Sequence, residues 1–111
     1  MSIREKCGVI GVSASTASVD VPLSVYNGLI ALQHRGQESA GMAAVQGGKI
    51  RVQKALGLVA NAFRYADLEK LAGSVALGHT RYSTTGTSTL DNAQPMVLKT
   101  HGLQAAIAFT G

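Results

Sequence analysis

Most of the side chains that could carry out chemistry in this 111-residue chain lie in four short stretches. The only cysteine, Cys7, opens the apolar run CGVIGV near the N-terminus. The other three, QHRGQESAG (33–41), GHTRYSTTG (78–86) and DNAQP (91–95), are denser in glycine and small polar residues than a core requires. Each lies at the end of a predicted helix or strand, where functional sites are usually built.

Taken singly, these residues also have structural explanations. A cysteine in an apolar strand is typical of a small core residue, and Arg81 is compatible with an ordinary surface ion pair. His34, His79 and His101 show no metal-ligand spacing with one another or with Cys7, so no zinc site is indicated. The chain has no GxGxxG or GxxxxGK phosphate loop, and nothing marks one serine as part of a Ser-His-Asp triad.

Charge and composition exclude several other classes of protein. The net charge is +4, but lysines and arginines are scattered and aromatic residues make up only 5%, which argues against a nucleic-acid surface. No run approaches the ~18 apolar residues of a membrane span. A single cysteine rules out an intrachain disulfide and favours a reducing compartment, so we predict a cytoplasmic protein. A secretory signal is disfavoured because Glu5 interrupts the charged region and the apolar part is short.

The hydrophobic pattern predicts the elements that position the four stretches. Residues 7–13 read as a buried strand. A mostly buried helix follows, capped by Asp20, with Pro22 in its first turn. It is expected to end with His34 and Arg35 in the last turn and Gly36 just beyond.

Later elements are predicted from alternation and turn residues. They are a hairpin of 40–46 and 49–55 around Gly47-Gly48, a helix over 61–72, and strands over 74–83 and 103–111 separated by a polar turn. Because an apolar strand rarely closes a domain without a cap or partner, we expect the chain to be the front part of a longer protein.

In this order, CGVIGV, LQHRGQESAG, GHTRYSTTG and NAQP resemble the glutaminase domain of class II glutamine amidotransferases, over residues 7–111. LQHRGQESAG and the Arg-Tyr pair resemble the branch whose ammonia acceptor is phosphoribosyl diphosphate; the aminosugar-forming branch would show Tyr-Arg-Gly-Tyr-Asp and Arg-Trp. The resemblance implies an α+β fold, the four-layer αββα sandwich of N-terminal nucleophile hydrolases, with only its first half present.

The resemblance also implies how the nucleophile works. Cys7 would be the mature N-terminus, so residues 1–6 would be a propeptide cleaved after Lys6. The thiolate would attack the side-chain amide of glutamine while the free α-amine handles the protons. An α-amine titrates near ~7.7–8.0, which suits a general base at neutral pH, whereas an amide nitrogen lacks that basicity.

Substrate-binding residues are likewise implied by the resemblance. Arg81 would hold the α-carboxylate of glutamine through two parallel hydrogen bonds. Tyr82, Ser83 and Thr84 would shape the pocket beside it. Arg35 and Gly36 belong to the HRG motif, which would flank the nucleophile, and Arg35 would orient the site without touching the reacting atoms. The stretch Asn92–Pro95 matches the family, with no role expected beyond fixing a loop.

The oxyanion hole is where the chain departs from the family. Relatives use an Asn-Gly pair at the end of a strand, and Thr110-Gly111 stands there in this chain. The threonine hydroxyl is shorter and its hydrogen rotates freely, and loss of one oxyanion donor typically costs ~10²–10³ in rate. A slow enzyme, an altered chain end and a compensating neighbour are all compatible with the sequence.

The resemblance implies glutamine hydrolysis that supplies ammonia for 5-phosphoribosylamine formation in purine biosynthesis. It implies no cofactor in this segment: Mg²⁺ would belong to a phosphoribosyltransferase domain beyond Gly111, and the iron–sulfur cluster of some relatives finds no ligand set here. The longer protein would be a homo-oligomer acting on phosphoribosyl diphosphate. Two alternatives stay open, an inactive structural or regulatory relative and a sister amidotransferase with another acceptor.

Overall fold

A computed structural model describes residues 6–33, 38–82 and 90–110. The elements in chain order are β1 (Lys6–Ser13), α1 (Val21–Leu32), β2 (Ser39–Gln46), β3 (Lys49–Leu56), α2 (Val59–Ala62), α3 (Tyr65–Lys70), β4 (Val75–Tyr82), a 3₁₀ turn (Leu90–Asn92), β5 (Met96–Thr100) and β6 (Leu103–Ile107). Strands β1–β4 form one antiparallel sheet in the order β1-β4-β2-β3. Among the described residues, strands β5 and β6 form a separate two-stranded antiparallel sheet. No helix in the described part of the chain is long and apolar enough to span a bilayer.

The four-stranded sheet has two different faces, because side chains alternate along each strand. One face, which we name the helix-covered face, carries Met42 and Ala76 and packs against α1. The other carries Cys7 and His79. We name it the hairpin-side face, because the β5–β6 hairpin lies over it and Gln104 of β6 accepts a hydrogen bond from the Ile50 amide at 3.0 Å.

Helix α1 begins as predicted but ends earlier. Asp20 caps it by accepting a hydrogen bond from the Leu23 amide at 3.2 Å. The helix ends at Leu32, and Gln33 after it is extended; His34 and Arg35, predicted in the last turn, lie outside the described residues. Val21, Val25 and Leu29, spaced four apart, form the buried stripe that contacts the sheet, whereas Leu23 and Ile30 on other sides of the helix are exposed.

The predicted helix over 61–72 is instead two short helices, α2 and α3. Phe63 and Arg64 between them are extended. Phe63 is buried and meets Tyr26 edge-on, with ring centroids 6.2 Å apart. The Asp67 carboxylate accepts a hydrogen bond from the Arg64 amide at 2.9 Å and so starts α3. Burial of an aromatic ring thus overrides the local helix propensity.

Two hairpins turn through a pair of residues with positive φ. The β2–β3 hairpin was predicted from Gly47-Gly48, whose φ angles are 59° and 77°. The β5–β6 hairpin turns at His101-Gly102, with φ of 47° and 78°; its first strand follows the predicted polar turn and had been assigned to no element. The strand predicted over 103–111 is confirmed only for Leu103–Ile107.

The β5–β6 hairpin is the beginning of a second layer of strands. A cavity of about 580 Å³ separates β6 from the hairpin-side face. Apolar side chains stay exposed on this face, among them Val9, Val45 and Val75, and on the outer side of the hairpin, among them Leu103 and Ile107. The described residues therefore contain a two-stranded sheet in addition to the four-stranded one.

Gly41 is the point at which the DNAQP stretch reaches the sheet. A methyl group there would overlap the backbone carbonyl oxygen of Gln94, so only glycine permits this approach. We expect Gly41→Ala to lower the free energy of unfolding by about 3 kcal/mol through overpacking. Gly11→Ala is the matched control, because its nearest neighbours stand 4.0 Å away, and it should be neutral or stabilising. Urea denaturation compares them, and equal midpoints would contradict this packing.

Candidate functional site

Cys7 and Arg81 face each other on neighbouring strands. They are register partners in the antiparallel β1–β4 pair, so their side chains project from the same face, the hairpin-side face. Ser39 of β2 is the partner of Arg81 on the other side, which puts Arg81 in the middle of a three-strand row. Cys7 is half-buried and is a free thiol. One row of the sheet therefore holds a free thiol beside an arginine side chain.

The Arg81 guanidinium is oriented by two partners. Its Nε lies 3.5 Å from the Glu38 carboxylate, and both side chains are largely buried. Its Nη1 donates to the Asn92 carbonyl at 3.4 Å. The Glu38 amide also donates to the Arg81 carbonyl at 2.7 Å, so backbone and side chain hold the two residues together. Of the five donor hydrogens of arginine, these side-chain contacts leave enough for a further carboxylate.

A second row of the hairpin-side face lies next to the first. It consists of Val9, His79, Gly41 and Lys54, aligned across the four strands. The Lys54 ammonium donates to the Ala93 carbonyl at 2.9 Å, directly beside the point where Gln94 crosses Gly41. The Gln94–Pro95 peptide bond is cis. The DNAQP stretch is therefore fixed onto this row.

His79 and Gln94 both bind the backbone of Phe109. His79 Nε2 lies 3.0 Å from the Phe109 carbonyl oxygen, and the Phe109 amide donates to Gln94 Oε1 at 2.8 Å. His79 is completely buried and Gln94 nearly so. The strand that carries Arg81 is thus tied to the segment that leads into Thr110.

Burial lowers the pKa of His79, because the charged imidazolium loses its hydration; the hydrogen bond to Phe109 opposes this shift, and the positive charge of Arg81 adds to it. His79 is therefore neutral at pH 7. With Nε2 bonded to a carbonyl oxygen, that nitrogen must carry the proton, so His79 donates and Phe109 accepts.

The lowered pKa of His79 predicts acid destabilisation. Between the folded pKa and the unfolded value of about 6.5, the unfolded chain binds more protons, so stability rises with pH in that window and is lost as the pH falls through it. We expect the free energy of unfolding to fall steadily below pH ~6.5. Urea titrations from pH 8 to 5 measure this slope. His79→Gln should flatten it, and the exposed His101→Asn should not; an unchanged slope in His79→Gln would contradict the assignment.

The other site residues implied by the resemblance do not lie in the row of Cys7 and Arg81, or lie outside the described residues. Tyr82 is half-buried and by register belongs to the opposite face from Cys7 and Arg81. Thr110 is exposed and follows Phe109. The remaining predicted site residues, Arg35, Gly36, Ser83, Thr84 and Gly111, lie outside the described residues. Within the described ranges, no three His, Cys, Asp or Glu side chains are grouped to hold a metal ion.

Sequence reasoning missed two polar residues of the site. His79 was considered only as a metal ligand, although it lies two residues before Arg81 on a predicted strand and so had to share its face. Glu38 lies in QHRGQESAG, but no local pattern pairs it with Arg81, because the two residues are 43 positions apart.

Curated relatives match nearly the whole chain, although no protein-family model does. An amidophosphoribosyltransferase of Methanothermobacter thermautotrophicus is 43% identical over 109 residues, which cover 98% of this chain and 23% of the relative. The enzymes of that name from Mus musculus and Mycobacterium bovis are 46% and 52% identical, covering 100% and 89% of this chain. The chain spans about a fifth of the length of these relatives.

Solved structures agree with the sequence comparison. The chain is similar to the glutamine phosphoribosylpyrophosphate amidotransferase from B. subtilis in complex with ADP and GMP, with a TM-score of 0.70 and 34% identity over 94% of this chain and 21% of that one. A second structure, described as the allosteric regulatory enzyme of purine biosynthesis, gives a TM-score of 0.70 and 35% identity over 87% of this chain and 20% of that one. The fold is therefore part of the N-terminal nucleophile hydrolase sandwich expected from the motifs. By sequence and by structure, the chain belongs to the amidophosphoribosyltransferase family and corresponds to part of its glutaminase domain.

Proposed function

We propose that these residues form the first part of a glutaminase domain, which hydrolyses glutamine with Cys7 as nucleophile. The ammonia released would serve the formation of 5-phosphoribosylamine from phosphoribosyl diphosphate; glutamine and phosphoribosylpyrophosphate both appear in the name of the similar B. subtilis structure. The rest of the glutaminase domain and a phosphoribosyltransferase domain, with its Mg²⁺, would be supplied by the complete gene product. That product would be a cytoplasmic homo-oligomer.

The pairing of Cys7 with Arg81 on one sheet face supports this proposal most strongly. Directly opposite residues of an antiparallel pair have Cα atoms only ~4.5–5.5 Å apart. Glutamine carries its carboxylate and its side-chain amide at opposite ends of a short aliphatic chain. A guanidinium that holds the carboxylate can therefore present the amide to the neighbouring thiol, which is a proximity effect.

Glutamine hydrolysis would use the thiol and the α-amine of Cys7 in two stages. The free α-amine of a processed Cys7 takes the proton of the thiol, and the resulting thiolate attacks the amide carbon, forming a C–S bond and an oxyanion. The α-amine of a processed Cys7 gives a proton to the leaving nitrogen, so ammonia departs and a thioester remains. Water, deprotonated by the same amine, then cleaves the thioester to glutamate and regenerates the thiol. This scheme requires removal of residues 1–6, because an acylated nitrogen cannot exchange these protons.

A catalytically inactive relative is the second candidate, and Thr110 favours it. A threonine in the oxyanion position replaces a rigid amide donor with a rotating hydroxyl, which weakens preorganisation. A sister amidotransferase with another acceptor is less well supported, because the three relatives described above carry one common name.

An electrophilic glutamine analogue tests the proposal on the complete gene product. We expect one equivalent to attach to Cys7, with the labelled protein beginning at that residue in N-terminal sequencing. Glutamine in excess should protect the thiol, and D-glutamine should not. An inactive relative would remain unlabelled, and an active protein that still begins with Met1 would contradict the processing step.

A further inference from the structure

After β6, the described chain continues through Phe109, and both the amide and the carbonyl group of this residue form hydrogen bonds with side chains from other elements. Gln94 accepts its amide hydrogen at 2.8 Å, and His79 donates to its carbonyl oxygen at 3.0 Å. The Phe109 side chain itself is 54% exposed, so packing of the ring does not explain its position. The two polar contacts hold it instead.

These two hydrogen bonds fix two consecutive peptide planes. The Gln94 contact orients the plane between Ala108 and Phe109, and the His79 contact orients the plane between Phe109 and Thr110. Because a trans peptide is planar, the direction of the Phe109 carbonyl also sets the direction of the Thr110 amide. The direction in which the chain enters Thr110 is therefore determined by His79 and Gln94.

His79 has no second polar contact that would account for its burial. Its Nδ1 has no hydrogen-bond partner among the described residues. An unpaired buried nitrogen costs free energy, so the contact with Phe109 is the interaction that favours a histidine here over an apolar residue.

We propose that His79 and Gln94 are positioning residues for the oxyanion donors at Thr110. This inference rests on the proposed glutaminase function and extends it to two residues that have no role in the reaction scheme above. It also bears on the departure at Thr110: a rotating hydroxyl contributes usefully only if the backbone that carries it is fixed. Preorganised donors are what distinguish an oxyanion hole from a solvated loop.

Variants of the complete gene product test both contacts. His79→Leu and Gln94→Leu should each lower kcat for glutamine by ~10–10²-fold, less than loss of a donor, with KM changed less than ~3-fold because Arg81 is untouched. His79→Gln keeps a donor and Gln94→Glu keeps an acceptor, and each should recover most of the rate. The double Leu variant should fall short of the product of the single losses, because both act through Phe109.

Thr80→Val is the matched control. Thr80 is as buried as its neighbour His79, points to the other face of the sheet, and its hydroxyl has no hydrogen-bond partner in the described part of the chain. Its kcat should match the wild type. A general packing effect would lower kcat in Thr80→Val as well and would overturn the proposal.

Hydrogen exchange at the Phe109 amide provides a readout that does not depend on activity. The amide should be protected in the wild type and in Thr80→Val, and should exchange faster in both Leu variants. Unchanged exchange, or faster exchange with unchanged kcat, would overturn the positioning role alone. A wild type that releases no ammonia from glutamine while the Phe109 amide stays protected would overturn the glutaminase function, and the positioning role with it.

Discussion

Replacing Cys7 with alanine in the complete gene product is expected to abolish the glutamine-dependent reaction and to leave the reaction with free ammonia within about twofold of the wild type. Removal of a covalent nucleophile typically costs ~10⁴–10⁶ in kcat, because no neighbouring group can form the acyl intermediate. Ammonia bypasses that step and reaches the acceptor directly. Cys7→Ser should be almost as inactive with glutamine, because a hydroxyl is far less acidic than a thiol. Steady-state assays with each nitrogen donor measure both effects.

Ser13→Ala is a suitable control for the Cys7 variants. Ser13 lies on the same strand and the same sheet face as Cys7, six residues away, which is about 20 Å along β1. It should keep both activities. Equal loss of the glutamine and ammonia reactions in Cys7→Ala would mean that the substitution damages the fold, and would count against a nucleophilic role. Retention of both activities would exclude that role.

The sequence predicted the individual strands of the four-stranded sheet to within one residue at each end, because these strands carry strong local signals. Strand β1 is an apolar run, and the Gly47-Gly48 pair specifies the turn between β2 and β3. The β5–β6 hairpin uses the same backbone geometry at His101-Gly102, but histidine rarely takes positive φ, so the signal was overlooked. A five-residue strand following a polar stretch gives periodicity too little length to be distinctive.

The failure at residues 61–72 has a different origin. Local propensity favours a continuous helix, but the core requires Phe63 to contact Tyr26, and the chain must become extended to deliver the ring. Such a requirement depends on a residue 37 positions earlier and leaves no trace in the local pattern. Tertiary contact therefore decides this segment.

The site could be predicted only in part for a related reason. The motifs predicted roles for Cys7 and Arg81, and the register places these two residues opposite each other. The residues that hold this pair and its surroundings, Glu38, His79 and Gln94, act through contacts between distant stretches. Motifs indicate which residues react; the sheet register indicates which residues orient them.

Arg81→Ala is expected to lower kcat/KM for glutamine by ~10²-fold or more, mainly through KM. A bidentate, charge-assisted pair with a carboxylate contributes several kcal/mol at a partly buried site, and each ~1.4 kcal/mol is a factor of ten. Arg81→Lys keeps the charge but loses the planar fork, so its KM should fall between those of the wild type and Arg81→Ala. Activity with free ammonia should stay near the wild-type value in both variants. Titration of glutamine at fixed acceptor concentration separates KM from kcat.

Arg51→Ala separates local binding from overall charge, because it removes the same single positive charge from an exposed position of β3. Its KM for glutamine should equal that of the wild type. If Arg81→Ala and Arg51→Ala raised KM equally, the effect would be long-range electrostatics and Arg81 would not contact the substrate.

The Glu38 carboxylate, 3.5 Å from Arg81 Nε, provides a second test of direct contact between Arg81 and glutamine. With Arg81 removed, Glu38 is left beside an incoming carboxylate, so repulsion adds to the lost attraction, and Glu38→Gln in the Arg81→Ala background should recover part of the affinity.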